Sequence, residues 1–198
     1  MALPSSYAPG IPRVTDMVSR HFQFEGTDSE KYYLKWLESK GVTRDEYMEA
    51  AVTFGTAAHK IVEEYVLTGA AEASDSHPYQ LASQAFKFLD EYKVKPLGAE
   101  VYARYKDSYQ GTCDLLAMVD GKRTIIDWKT WGAAKRKFGM DETRRAPGDK
   151  LAKASLQLSL YAMALRATRC IVVELTPDRY YAHEVPRITN QTLKLLIK

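Results

Sequence analysis

GTCDLLAMVDGKRTIIDWKT, residues 111–130, sets two apolar runs on either side of Asp120-Gly121. Asp-Gly between strand-like runs is the strongest short-range signal for a hairpin with a two-residue type I′ turn. Such a turn pairs Val119 with Lys122 and, counted back along both strands, Asp114 with Asp127. The two carboxylates would then stand opposite each other on one sheet face, their Cβ atoms roughly 4.5–5.5 Å apart. Lys129 follows Asp127 by two and falls on the same face, while Trp128 points to the other. A three-residue loop would instead put the acids on opposite faces. Leu115, Leu116, Ala117, Ile125 and Ile126 make both faces apolar, which suits strands buried at the centre of a sheet better than a surface hairpin with a routine Asp–Lys pair. Two bare acids there repel and are costly to desolvate. A divalent cation between them removes both penalties, and a neighbouring lysine can orient a water or offset charge on a phosphate.

Outward from the hairpin, the pattern changes from helical to strand-like and back. Residues 1–14, rich in Pro, Ser and Gly, read as an irregular arm. Thr15 is placed to cap a short helix to about His21, and Ser29 a second with Tyr32, Tyr33, Trp36 and Leu37 on one face. A longer helix spans about Arg44 to Leu67, with Thr43 as cap, Asp45 and Glu46 in its first turn, Gly55 as a bend or break and Gly69 as its end. Residues 78–92 carry Leu81, Ala85, Phe88, Leu89 and Tyr92 at helical spacing. Strands follow at 98–105, 113–119 and 123–128, then a basic loop at 131–148, a helix from about Lys150 to Ala167, strands at 170–175 and 179–185, and a final helix. This order predicts an α/β sandwich with a mixed central sheet.

The totals suit one compact domain: 198 residues, 45% hydrophobic and 27% charged. The net charge of +3 is too weak by itself to mark a nucleic-acid binder. Its distribution says more, because Lys135, Arg136, Lys137, Arg144, Arg145 and Lys150 stand against only Asp141, Glu142 and Asp149 within residues 130–150. Trp131 and Phe138 lie among those charges, where stacking on bases and plain packing are equally open readings. Two cysteines, Cys113 and Cys170, sit in apolar stretches and read as buried free thiols of a reducing compartment. They cannot furnish the four thiolates of an iron–sulfur cluster. MALPSSYAPG lacks the character of a signal peptide, and no apolar stretch is long enough for a membrane span, so a cytoplasmic location is expected.

The helices add candidates. His59 and Glu63 share a face at i, i+4, with Gly55 on the same stripe; a lone histidine is more often structural, but this one can offer nitrogen to a metal and bring Mn²⁺ alongside Mg²⁺. Gln157 and Tyr161 repeat the spacing, read either as a flank and a core residue or as site residues. Glu100 is either a third acid or an edge-strand charge.

Gly55-x-x-x-His59, GTCD with Asp114, DWK with Asp127 and Lys129, and Gln157-x-x-x-Tyr161 occur in that order over residues 50–165. The ordered set resembles the PD-(D/E)XK nuclease superfamily, in particular its RecB-type exonuclease branch, similar to phage and mitochondrial genome maintenance exonucleases. The resemblance implies a restriction-endonuclease-like αβββαβ core with extra N-terminal helices, in one nuclease domain: 1–42 arm and helices, 43–187 catalytic core, 188–198 C-terminal helix. It implies His59, Asp114 and Asp127 as ligands of Mg²⁺ or Mn²⁺ with the Trp128 carbonyl, Lys129 as catalytic lysine, and Gln157 and Tyr161 as supports of the site. Glu63 and Glu100 match the pattern less sharply. The iron–sulfur cysteines of many relatives are missing. The expected function is a DNA exonuclease on ends or single strands, with DNA held by Trp131, Lys135, Arg136, Lys137, Arg144 and Arg145. A structure-specific endonuclease of the same fold and a non-catalytic DNA-binding subunit are the alternatives. Recombination or replication proteins are the implied partners, and a phage-encoded protein acting in the host cytoplasm the implied setting.

Overall fold

A computed structural model describes residues 7–22, 27–140, 148–189 and 191–193. The helices are α1 (Val14–His21), α2 (Asp28–Glu38), α3 (Arg44–Thr68), α4 (His77–Glu91) and α5 (Gly148–Leu165). The strands are β1 (Lys95–Tyr105), β2 (Tyr109–Val119), β3 (Lys122–Lys129), β4 (Arg169–Leu175) and β5 (Tyr180–Glu184). They form one five-stranded sheet in the order β1-β2-β3-β4-β5. Only β3 and β4 run parallel, joined by the α5 crossover; the other neighbours are antiparallel. This is an α/β fold with a restriction-endonuclease-like αβββαβ core and added N-terminal helices.

The Asp120-Gly121 turn forms as its chemistry demands. Both residues are left-handed, at φ 50° and 73°, and Val119 pairs with Lys122. Apolar side chains on the two sheet faces then build two cores. Ile125, Leu116, Cys113 and Val172 pack beneath α5 and α1. Leu115, Ala117, Ile126, Trp128 and Val173 pack beneath α3 and α4, where Phe88 meets the Trp128 ring edge-on at 5.9 Å. A third, smaller core joins Leu37 of α2, Tyr47 and Ala50 of α3, and Ala134.

Several local readings are corrected. The α2 cap is Thr27, whose side chain accepts from the Glu30 N–H, rather than Ser29, and Tyr32 is exposed rather than packed with its neighbours. Val14, not Thr15, is the first residue of α1. Thr43 and Glu46 close a capping box on α3, which runs unbroken through Gly55 to a left-handed Gly69. A Cβ at Gly55 would lie 3.0 Å from Thr130 Oγ1, so this glycine lets the helix approach the chain just past β3. The basic loop contains a 3-10 helix, Ala133–Phe138. β1 starts three residues before the expected boundary and β2 four residues before. Of the expected C-terminal helix, residues 191–193 are helical, and 190 and 194–198 lie outside the described residues.

A Cβ on Gly111 would stand 2.8 Å from Tyr161 Cε1, so α5 can seat on β2 only over a glycine. Gly111→Ala is therefore expected to cost about 1–3 kcal/mol by overpacking. Chemical denaturation checks this, and an unchanged midpoint would show that the ring moves aside freely.

Candidate active site

The pairing of β2 with β3 runs from Val119↔Lys122 to Leu115↔Ile126 and stops one pair short of the aspartates. Cys113 belongs to the core beneath α5, whereas Leu115 belongs to the core beneath α3 and α4, so the pleat of β2 resets at Asp114. On β1, Glu100 stands level with Asp114, between Ala99↔Leu115 and Val101↔Cys113. Its φ of 46° is a strained value for a residue with a side chain. Asp114 turns its carboxylate towards β3, and Oδ2 accepts the Trp128 N–H at 2.9 Å. The expected facing pair is corrected accordingly. The register is as read, but Asp114 and Asp127 are not ladder partners.

Asp127 is 2% exposed, and the Lys129 ammonium lies 2.7 Å from its Oδ2. Burial pushes the Asp127 carboxyl up against the opposing pull of Lys129. For Lys129, burial acts to lower the ammonium pKa, but the Asp127 and Asp114 charges outweigh it, so the net shift is upward. Gln157 on α5 accepts from Lys129 Nζ at 3.4 Å and donates from Nε2 to the Tyr161 hydroxyl at 3.5 Å. That hydroxyl is raised by burial and stays neutral.

From the other side, α3 brings His59 Nδ1 to 3.5 Å from Asp114 Oδ2. Glu100 is pushed up to about 7, first by burial and then by the charges of Asp114, Glu63 and Asp127. His59, Glu63, Glu100, Asp114, Asp127, Lys129, Gln157 and Tyr161 thus converge where β2 leaves β3. Among the described residues no three His, Cys, Asp or Glu side chains form a ready-made metal cage. The donor chemistry nonetheless suits a hard divalent cation: the Glu63, Glu100, Asp114 and Asp127 carboxylates act on one another, His59 reaches Asp114, and the Lys129 ammonium offsets only the two aspartates. Beyond that ammonium, the shielded Asp127 Oδ2 has no hydrogen-bond donor among the described residues.

The expected nucleic-acid residues are less uniform. Phe138, half-buried, stacks on Tyr47 at 6.1 Å and packs against the small third core, the contact its packing reading expects. Trp131 is half-buried against the core beneath α5, with the Lys150 ammonium 5.9 Å from its ring. Arg136 is exposed and bonds Gln80 at 2.6 Å; Lys137 is exposed and Lys135 half-buried. Arg144 and Arg145 lie outside the described residues. Sequence reading gave no role to Gln110, which the fold buries to 1% exposure and uses to anchor residues 8–12. No local signal reveals this, because the partners are about a hundred residues apart.

No family model and no curated protein matches the chain. Among solved structures it is similar to the crystal structure of SSO0001, with a TM-score of 0.43 and 18% identity over 98% of this chain and 76% of that one. It is also similar to a phage related exonuclease from Haemophilus somnus 129PT, with a TM-score of 0.41 and 15% identity over 94% of this chain and 88% of that one. No helix among the described residues is long and apolar enough to cross a membrane.

The raised Glu100 has a signed consequence. Between its ordinary 4.5 and about 7 the folded chain holds a proton that the unfolded chain has released. Its contribution to stability is therefore complete below the ordinary value and is lost as pH rises through about 7. With a chelator present, wild type is expected to lose stability from about pH 5 to about pH 8, and Glu100→Gln to be the more stable protein at the upper end. Denaturant midpoints at the two pH values check this; parallel curves for both proteins would refute it.

Proposed function

We propose that the chain is a metal-dependent deoxyribonuclease of the RecB-type branch of the PD-(D/E)XK superfamily, acting as an exonuclease on DNA ends or single strands. The observation that carries the reading is the convergence of Asp114, Asp127 and Lys129 at the β2–β3 split, with His59 reaching Asp114 from α3. His59, Asp114 and Asp127, with the Trp128 carbonyl, would hold Mg²⁺ or Mn²⁺, which when bound supplies polarisation of a phosphate and a more acidic water.

The remaining work falls to the chain. Lys129 stays charged and offers its ammonium to the phosphate oxygens or to an attacking water, stabilising charge where the bond changes. Gln157 fixes the free swing of that lysine, and neutral Tyr161 fixes Gln157. Trp128, wedged against Phe88, holds the backbone between the two reactive side chains. The exposed Arg136 and Lys137 supply backbone attraction that weakens with salt. Recombination or replication proteins would be the natural partners of such an activity.

Lys129→Ala and Asp127→Ala are expected to lower cleavage of end-labelled linear DNA by at least about 10²–10³-fold. Lys129→Ala is expected to retain DNA binding. Chelation should stop the wild type, and Mg²⁺ or Mn²⁺ should restore it. Covalently closed circles should survive; their cutting would replace the exonuclease with an endonuclease of this fold. A purified wild type that leaves single- and double-stranded DNA intact with either ion would overturn the enzyme reading.

A further inference from the structure

Beyond Leu115↔Ile126 the β3-side edge of β2 is open to another partner, and the N-terminal arm takes the place. The Gln110 N–H donates to the Pro12 carbonyl at 3.0 Å, and Arg13 bridges Gln110 in parallel. The Gln110 side chain completes the bracket. Its Oε1 accepts from Ala8 N at 2.8 Å and from the Tyr102 hydroxyl at 2.9 Å, and its Nε2 donates to the Ala8 and Ile11 carbonyls. One buried amide thus fixes both the arm and a β1 tyrosine.

The arm delivers Tyr7 and Arg13. The Tyr7 ring lies 6.2 Å from that of Tyr102, and its hydroxyl is 2.9 Å from Thr112 Oγ1. The Arg13 guanidinium sits 4.6 Å over the Tyr7 ring, exposed and without a carboxylate partner among the described residues. Val101 and Ala103 point into the core beneath α5, and Gly111 abuts Tyr161, so Tyr102 and Thr112 lie on the opposite face. Tyr102 is two residues past Glu100 and Thr112 two before Asp114, roughly 7 Å along the strands from the candidate site.

We propose that Tyr7, Tyr102 and Arg13 form a fixed platform that binds the unpaired strand of DNA entering the site. The two rings take a base by stacking and Arg13 takes a phosphate. This inference rests on the nuclease reading and narrows its substrate to a strand with unstacked bases. Sequence-independent binding of single strands combines these elements, aromatic faces beside cations. A duplex cannot present its bases to the platform without first fraying. The irregular arm thereby becomes part of the binding surface.

The test uses the full chain in a Lys129→Ala background, with a fluorescent single-stranded deoxyoligonucleotide, Mg²⁺ and anisotropy as readout. Arg13→Glu and Tyr102→Ala are each expected to weaken binding on the order of ten-fold, and Arg13→Glu to lower the salt slope by about one. Tyr102→Phe, which keeps the ring, should bind as the parent does. Lys122→Glu makes the same charge change at the exposed turn at the far end of the hairpin and should bind as the parent does. Thermal melts show whether Tyr102→Ala remains folded; Arg13 is exposed, so its variant reports on binding without that complication. If the wild type binds and cuts DNA while Arg13→Glu matches Lys122→Glu, or a folded Tyr102→Ala binds normally, the platform is overturned and the nuclease reading stands. If the wild type neither binds nor cuts any DNA, both fall.

Discussion

The hydrogen bond from the Trp128 N–H to Asp114 Oδ2 decides the local architecture. A continued antiparallel ladder would have satisfied that N–H with a β2 carbonyl and kept both strands in one pleat. A side chain satisfies it instead, and the strands part. The parting resets the pleat of β2, opens an edge that the arm occupies, and leaves a gap between two central strands of an otherwise continuous sheet. Buried backbone donors must find an acceptor somewhere. Here the acceptor is also a candidate ligand, so the same atom that ends the ladder stands at the site.

The buried Asp127–Lys129 pair constrains the site in another way. Removing water from two charges costs several kcal/mol per ion, so a pair of this kind is weak evidence of stabilisation. Its value lies in position. The ammonium is held between a carboxylate on its own strand and Gln157 on the crossover helix, so β3 and α5 both determine where it points. The β3–β4 pairing beneath α5 is parallel, which requires a crossover, and that connection carries Gln157 and Tyr161 back over the strand ends.

Much of this was legible in the sequence, for identifiable reasons. Asp120-Gly121 encodes left-handed φ values that few dipeptides adopt, so the turn and the register of its strands followed from two residues. Thr43 and Glu46 encode a cap whose partners are three residues apart. The α/β order followed from a change of period along the chain. What escaped depends on partners distant in sequence or on breaks in regularity. Alternation arithmetic assumes a continuous pleat, so it placed Asp114 opposite Asp127 and missed the reset. The arm's path is written in Gln110, whose amide has no local signature and finds its partners a hundred positions away. Phe138 sits among basic residues by sequence, yet a ring from α3 claims it in space.

The left-handed Glu100 unites these observations. Burial and, after it, like charges drive its carboxyl towards protonation, while its backbone is held in a conformation that costs a side-chain-bearing residue free energy. Neither penalty is relieved by its own strand. Both persist because the apolar cores on the two faces of the sheet fix β1 and β2 on either side of it, at Ala99↔Leu115 and Val101↔Cys113. A sheet built only for stability would place apolar residues at positions 100, 114 and 127. The carboxylates of Glu100, Asp114 and Asp127 instead crowd the end of the β2–β3 pairing, where burial and mutual repulsion make them costly, and the Lys129 ammonium offsets part of that cost at Asp127.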